Sequence, residues 1–206
     1  MDELNKFKEN LKKLPGIGEK SAERIAFFLI TEGKEIGHEL SEHMLSAIDN
    51  IGICSACGAL TQTDPCSICT SSKRDAGKIM LVENARDVFL FEKTGQYNGK
   101  YHVLGGLISP LDGIEPEHLT IDRLLDRIES DAVNEVIIAL SPSTEGESTA
   151  MYIQDLLNTT EVTVSRIAFG IPFGSDFEYI DNFTLGRSLD TRRIVKKGQN
   201  IIDDDK

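Results

Sequence analysis

Cys54, Cys57, Cys66 and Cys69 are the only four cysteines of a 206-residue chain, and they form two Cys-x2-Cys pairs with eight residues between them. Two pairs at this separation can close four thiolates into a tetrahedron around one ion, and zinc is the metal this donor set suits best. Four sulfur ligands leave no open coordination position, so the spacing predicts one structural Zn2+ per chain rather than a catalytic metal. The intervening Gly58–Pro65 segment is short, which makes the knuckle compact and its folding dependent on the metal. A redox dithiol or an iron–sulfur cluster would use the same side chains, but no feature nearby supports either. A secreted disulfide framework would spread its cysteines along the chain, whereas these share one window.

Lys and Arg number 22 against 34 Asp and Glu, a formal net charge of −12. That balance argues against a protein that coats nucleic acid with its whole surface, so any basic contact has to be local. Residues 1–34 carry seven basic and six acidic side chains, so positive charge is concentrated there. No apolar run approaches the roughly 18 residues of a membrane span, and the charged N-terminus lacks the apolar stretch of a secretory signal, which makes a cytoplasmic location the expectation. With 40% apolar residues the chain can bury a sizeable core.

Leu4, Phe7, Leu11 and Leu14 recur at helical spacing, so residues 3–14 read as an amphipathic helix that ends at Pro15. Gly16-Ile17-Gly18 follows, then a second helix with Ala22, Ile25, Ala26 and Leu29 on one stripe, and a third over about 36–51 with Leu40, Met44, Ala47, Ile48 and Ile51 on one face. Beyond the cysteines, short apolar runs alternate with amphipathic stretches. Strands are expected at Ile79–Val82, Tyr101–Leu104, Val136–Leu140 and around Val162–Ile167, with helices over 84–94, Ile121–Ile128 and up to Leu157. Such alternation implies a mostly parallel sheet covered on both faces, hence an α/β domain from about Lys78.

In Leu14-Pro15-Gly16-Ile17-Gly18-Glu19-Lys20-Ser21-Ala22-Glu23-Arg24, two glycines allow a tight turn that brings backbone N–H groups and a helix N-terminus near a phosphate, and Lys20 and Arg24 add charge four residues apart. A glycine turn in a helical hairpin is common, but Pro15 and the two cations point to sequence-nonspecific DNA contact through Gly16, Gly18, Lys20 and Arg24, supported by Lys12 and Lys13. This element resembles the helix-hairpin-helix of DNA repair proteins. With the four-cysteine knuckle after it, the chain resembles the RecR family of recombination mediators. Tyr97-x-Gly99-x-Tyr101-His102-Val103-Leu104-x-Gly106-x-Ile108-Ser109-Pro110-Leu111 is similar to part of that family's Toprim domain, and Gly170–Asp181 to its C-terminal segment. Glu115 stands where the family more often has glycine.

The resemblance implies an α+β multidomain chain. It comprises a helix-hairpin-helix domain over 1–53, a four-cysteine zinc finger over 54–69, a Toprim domain over 78–168, a Walker B-like segment and helix over 169–195, and a disordered tail over 196–206. It also implies a non-enzymatic mediator in the bacterial cytoplasm, associated with the nucleoid. Such a mediator forms a homo-oligomer, a dimer or tetrameric ring, binds single-stranded, double-stranded or gapped DNA without sequence preference, and acts with RecO, and in many bacteria RecF, to load RecA onto gapped or single-stranded DNA coated with single-strand binding protein. In catalytic Toprim enzymes a glutamate ends the first strand and an aspartate-rich loop follows a later one. Here Glu83 occupies the first place, but Ser141 and Ser143 stand where the aspartates would bind magnesium. A magnesium-dependent nuclease or primase using Glu83, Glu145 and Glu147 is the rival enzymatic reading, and a zinc-stabilised adaptor that binds only proteins is a third. Glu83, Glu145 and Glu147 form an acidic face that suits a partner contact; for Glu145 and Glu147, stabilisation of a helix N-terminus is the competing role. His38, His43 and Ser21 lack catalytic partners, and no phosphate-cradling loop accompanies the Walker B-like segment.

Overall fold

The computed structural model describes residues 2–168 and 170–192, so the expected tail over 196–206 and positions 169 and 193–195 lie outside the described residues. The chain divides into two compact units, one running to Thr70 and the other starting at Ser71.

In the first unit, α1 (Asp2–Lys12), α2 (Glu19–Thr31) and α3 (Lys34–Asn50) pack in sequence order. Ala22 and Ala26 are the fully buried residues of these helices, and their small side chains let α2 approach its neighbours closely. α1 stops two residues before the expected end. Leu14 precedes Pro15 and is sterically disfavoured from helical backbone, so Lys13 and Leu14 close the helix with tighter bonds to the carbonyls of Asn10 and Leu11. Leu40, Met44, Ala47 and Ile48 fall on one face of α3 as the periodicity predicts, with Ile51 just past its end, yet none of its 17 residues is buried. A two-residue ribbon of β1 (Gly52–Ile53) and β2 (Leu60–Thr61) and the short α4 (Ser67–Thr70) then frame the cysteines.

The second unit is built on a four-stranded sheet. β3 (Asp75–Val82) leads through α5 (Ala85–Glu92) to β4 (Gly99–Val103), α6 (Ile121–Ser130), β5 (Glu135–Ala139), α7 (Thr144–Leu157), β6 (Thr163–Arg166) and α8 (Asn182–Asp190). The order is β4-β3-β5-β6 and every pairing is parallel, which confirms the expected fold class. Ile79, Met80, Leu81 and Val82 are all buried because β3 is covered on both faces, which is why they form a continuous apolar run. β3 begins four residues earlier than that run, in Asp75-Ala76-Gly77-Lys78, with a register irregularity between Asp75 and Ile79. Leu104, Leu124, Ile128, Val136, Ile138, Ile153 and Leu157 are among the residues that pack with Ile79 and Leu81 in the core.

Polar groups inside this unit are paired. Arg74 grips Glu92 with two N–H groups and reaches the carbonyls of Tyr97 and Gly99, while the Tyr101 hydroxyl donates to Glu92 at 2.7 Å. His102 is buried against Thr120 and Arg127; burial, then the Arg127 charge, hold its imidazole down to about 4, so it stays neutral at physiological pH. Within 169–195, expected to be a Walker B-like strand and a helix, the described residues 170–181 contain a single 3-10 turn at Phe177–Tyr179 and no strand, while α8 supplies the helix. Gly170, Pro172 and Gly174 interrupt any two-residue alternation there.

Candidate metal centre and nucleic-acid interface

The Cys57–Gly58 turn and the β1–β2 ribbon bring the first cysteine pair back over the second. The amide of Cys54 donates to the Ala59 carbonyl and that of Gly58 to the Cys54 carbonyl, while the Ser55 amide donates to Asp64 at 2.7 Å. All four Sγ atoms lie within 4.8 Å of one another, with Cys57 and Cys66 3.6 Å apart. A tetrahedron with Zn–S bonds of about 2.3 Å has edges of about 3.8 Å, so the donor set fits that ion. Amides aim at the sulfurs as well: Cys66 N–H donates to Cys54 Sγ at 3.2 Å and Cys69 N–H to Cys66 Sγ at 3.4 Å. Burial raises the Cys54 thiol, but the amides of Cys66, Cys57 and Ala56 outweigh it and bring it down to about 7. The hydrogen bond with Cys69, and then burial, push Cys57 the opposite way. One divalent cation replaces the protons that neighbouring thiolates would otherwise retain, and the four cysteines form a single structural zinc site. Cys54, Cys57 and Cys66 are buried and Cys69 is half-buried.

The glycine turn is open. Gly16 has φ +81°, a conformation that side chains resist, whereas Gly18 is extended at φ −88° and begins α2 with no side-chain cap. A Cβ on either glycine would meet no atom within 4 Å. The cations around this turn separate into two groups. Lys12 is committed to Glu19 at 2.6 Å and Glu9 at 3.0 Å, and its hydrogen bonds to Glu19 and Glu9 hold its pKa above the ordinary lysine value. Lys8 pairs with Glu23 and Lys6 with Asp2 and Glu3, while Lys13 donates to the Asn10 amide oxygen. Lys20 and Arg24 are exposed, and among the described residues neither forms an ion pair.

In the second unit the parallel register Val82↔Ala139 puts the residues that follow β3 and β5 at the same end of the sheet. Glu83 is half-buried there; burial, then Asp87, raise its carboxyl. Ser143 caps α7 by accepting from the Gly146 amide at 3.1 Å, and a Cβ at Gly146 would sit 1.9 Å from the Ser141 carbonyl, so this turn requires glycine. Glu145 is exposed beside Met151, Phe183 and Arg187. Glu147 takes two hydrogen bonds from Arg166 at 2.7 and 3.1 Å and one from Arg187 at 3.0 Å, tying α7 to β6 and α8. Sequence reading did not anticipate Arg166 and Arg187, which lie 19 and 40 residues away with no spacing that signals the pairing. Among the described residues, the only cluster of three or more potential metal ligands is that of the four cysteines.

The Arg166 hydrogen bond, and then the Arg166 and Arg187 charges, hold the Glu147 carboxyl below its ordinary value. The folded pKa is therefore lower than the unfolded one, so this stabilisation is complete above the ordinary carboxylate range and is lost as pH falls through the folded value. Glu147→Gln is expected to cost about 1 kcal/mol at neutral pH, with the difference from the parent shrinking in acid, as read from thermal melts across pH. A constant difference down to pH ~3 would show that the carboxylate charge contributes nothing.

Family models for the RecR helix-hairpin-helix, the RecR four-cysteine zinc finger domain, the Toprim domain and the RecR C-terminal region match residues 4–48, 51–71, 77–168 and 170–193. A Recombination protein RecR of Gloeobacter violaceus is 46% identical over 187 residues, covering 91% of this chain and 95% of the relative. Its counterpart in Carboxydothermus hydrogenoformans is 46% identical over 188 residues, covering 91% and 94%.

Proposed function

Because the chain belongs to the RecR family of recombination mediators in DNA repair, we propose that it is a non-enzymatic, sequence-nonspecific DNA clamp. In this reading it closes into a ring-like homo-oligomer and acts with RecO and RecF to load RecA onto gapped or single-stranded DNA coated with single-strand binding protein. The observation that carries the DNA contact is the division of the cations at the glycine turn. Neighbouring acids neutralise Lys6, Lys8 and Lys12, while Lys20 and Arg24 stand beside an open, uncapped helix N-terminus. Lys13 lies close in sequence and adds a weaker contact. Two cations per subunit bind weakly; several subunits on one DNA raise the apparent affinity through effective concentration.

The non-enzymatic reading is supported by Ser141 and Ser143, which lack the charge a hard cation needs, and by Glu147, whose carboxylate is already held by two arginines. Glu83 and Glu145, at the same end of the sheet, suit contact with a basic partner. Glu147 serves that face by fixing the elements around it.

The helix α3 supplies a surface for ring closure. Ile36, Leu40, Met44, Leu45 and Ile48 are all about half exposed or more, with Leu45 at 62% and Ile48 at 72%. A 17-residue amphipathic helix with nothing buried is incomplete without a second apolar surface, and a further copy of the same face is the self-complementary solution. Sedimentation of the parent at micromolar concentration, with and without gapped DNA, should show a multimer. Leu45→Glu with Ile48→Glu should reduce its mass without lowering the melting temperature, because neither residue is buried in the subunit. A monomeric parent would overturn the clamp.

A further inference from the structure

We infer that the loop Ser109–Ile114 is a preformed anchor that inserts Leu111 into an apolar pocket on a protein partner, a pocket rimmed by lysine or arginine. Leu111 is 100% exposed, at the centre of the 3-10 turn Pro110–Asp112. Single exposed leucines are ordinary on mobile surfaces, but the backbone beneath this one is stapled at every step. The Ser109 and Ile114 amides and carbonyls exchange two hydrogen bonds of 2.9 Å, and the Asp112 amide donates to the Ser109 carbonyl at 3.0 Å. The Ser109 hydroxyl donates to Asp112 at 2.6 Å, and Gly113 closes the turn at φ +72°.

The base of the loop is equally fixed. The Ile108 amide donates to the hydroxyl of buried Thr149 at 2.9 Å, and Ile108 and Ile114 pack against the sheet core. A leucine held at the tip of such a loop has already lost the freedom that partner binding would otherwise remove, the condition under which one side chain contributes most to an interface. The fold gains nothing from burying Leu111, since its side chain stands wholly in solvent.

Charge selects the partner. Asp112 in the turn and Glu115 and Glu117 just after it are exposed acids, and the sequence has no lysine or arginine between Lys100 and Arg123. A phosphate backbone would be repelled, whereas a basic rim around an apolar cup would be attracted. The Glu115 amide donates to His118 Nδ1 at 3.0 Å, so the acidic stretch that follows is ordered too.

The choice of probes rests on the mediator reading above. Purified RecO and RecF from the same organism would be titrated separately against the full-length chain by calorimetry. Leu111→Ser should weaken one of the two at least about tenfold, and Leu111→Met should stay within about twofold of the parent, because the pocket needs apolar volume. Glu115→Gln with Glu117→Gln should weaken the same interaction and flatten its salt dependence, while Leu111→Ser and Leu111→Met leave DNA affinity, zinc content and assembly mass unchanged. Parent-like binding of both proteins by Leu111→Ser would overturn the anchor and leave the mediator reading intact. A parent that binds neither protein would overturn both. A change in assembly mass on Leu111→Ser would reassign the tip to contact between copies of this chain and overturn the proposal.

Discussion

Cys57→Ser is expected to remove stoichiometric zinc and unfold the knuckle, the largest loss of structure that any single substitution here should produce. The segment between Ile51 and Thr70 has almost no core of its own. Its buried residues are Cys54, Cys57, Ala59 and Cys66, and its only strands are two residues long. A segment so poor in buried apolar area cannot offset the entropy of ordering its backbone. Metal binding to four thiolates, with an apparent value of about 10–16 kcal/mol at pH 7, exceeds the usual net stability of a whole small domain and is coupled directly to folding. Chelation should therefore act like the substitution, and zinc release should rise as pH falls, because protons compete for the same sulfurs. The measurements are zinc content by atomic spectroscopy and protection of the 51–70 amides from hydrogen exchange. Protected amides after complete metal removal would show that the backbone folds without the ion. The parallel-sheet unit, with its own continuous core, should keep its melting transition throughout.

What the sequence reveals and conceals follows from how local each determinant is. Ligand spacing is local chemistry, so the four cysteines were legible from their positions along the chain alone. The run Ile79–Val82 was equally legible, because a strand buried on both faces must be apolar at every position. Amphipathic periodicity, by contrast, reports that α3 has an apolar face but not that anything within the subunit covers it. Charge patterning had the same blind spot at the hairpin: Lys12 and Lys20 read alike as cations, yet one lies between Glu9 and Glu19 and the other forms no ion pair among the described residues. Glu147 was assigned to a helix N-terminus or a partner, and its two arginines come from elements that only the sheet order brings near. The early start of β3 was hidden because Asp75–Lys78 are held in the strand by pairing with Gly99 and Glu135, with no apolar signal of their own.

Lys20→Ala with Arg24→Ala is expected to abolish retention of gapped DNA at about 150 mM salt, with zinc content and assembly mass unchanged. Each phosphate contact contributes a slope of about −0.7 to −0.9 to log affinity against log salt, so a subunit that loses two contacts loses nearly two units of slope. In a clamp the loss recurs at every engaged subunit, and the combined affinity should fall by at least about 100-fold. Among the described residues neither side chain is ion-paired, and both are exposed, so the fold has no reason to respond. Lys12→Ala should be nearly silent on DNA, since Glu9 and Glu19 already neutralise that ammonium. Gly18→Val separates folding from contact more sharply. Its φ of −88° is open to a β-branched residue and its Cβ would meet no non-neighbouring atom within 4 Å, so the substitution should cost no more than the roughly 1 kcal/mol of a poorer N-cap and leave the fold intact. The new methyl groups would, however, occupy the space a phosphate needs to reach the α2 amides, and DNA binding should fall with them. Parent-like affinity in both the double variant and Gly18→Val would move the nucleic-acid contact off the hairpin altogether. Loss in the double variant alone would leave the charges in place as the contact but remove the helix N-terminus from it.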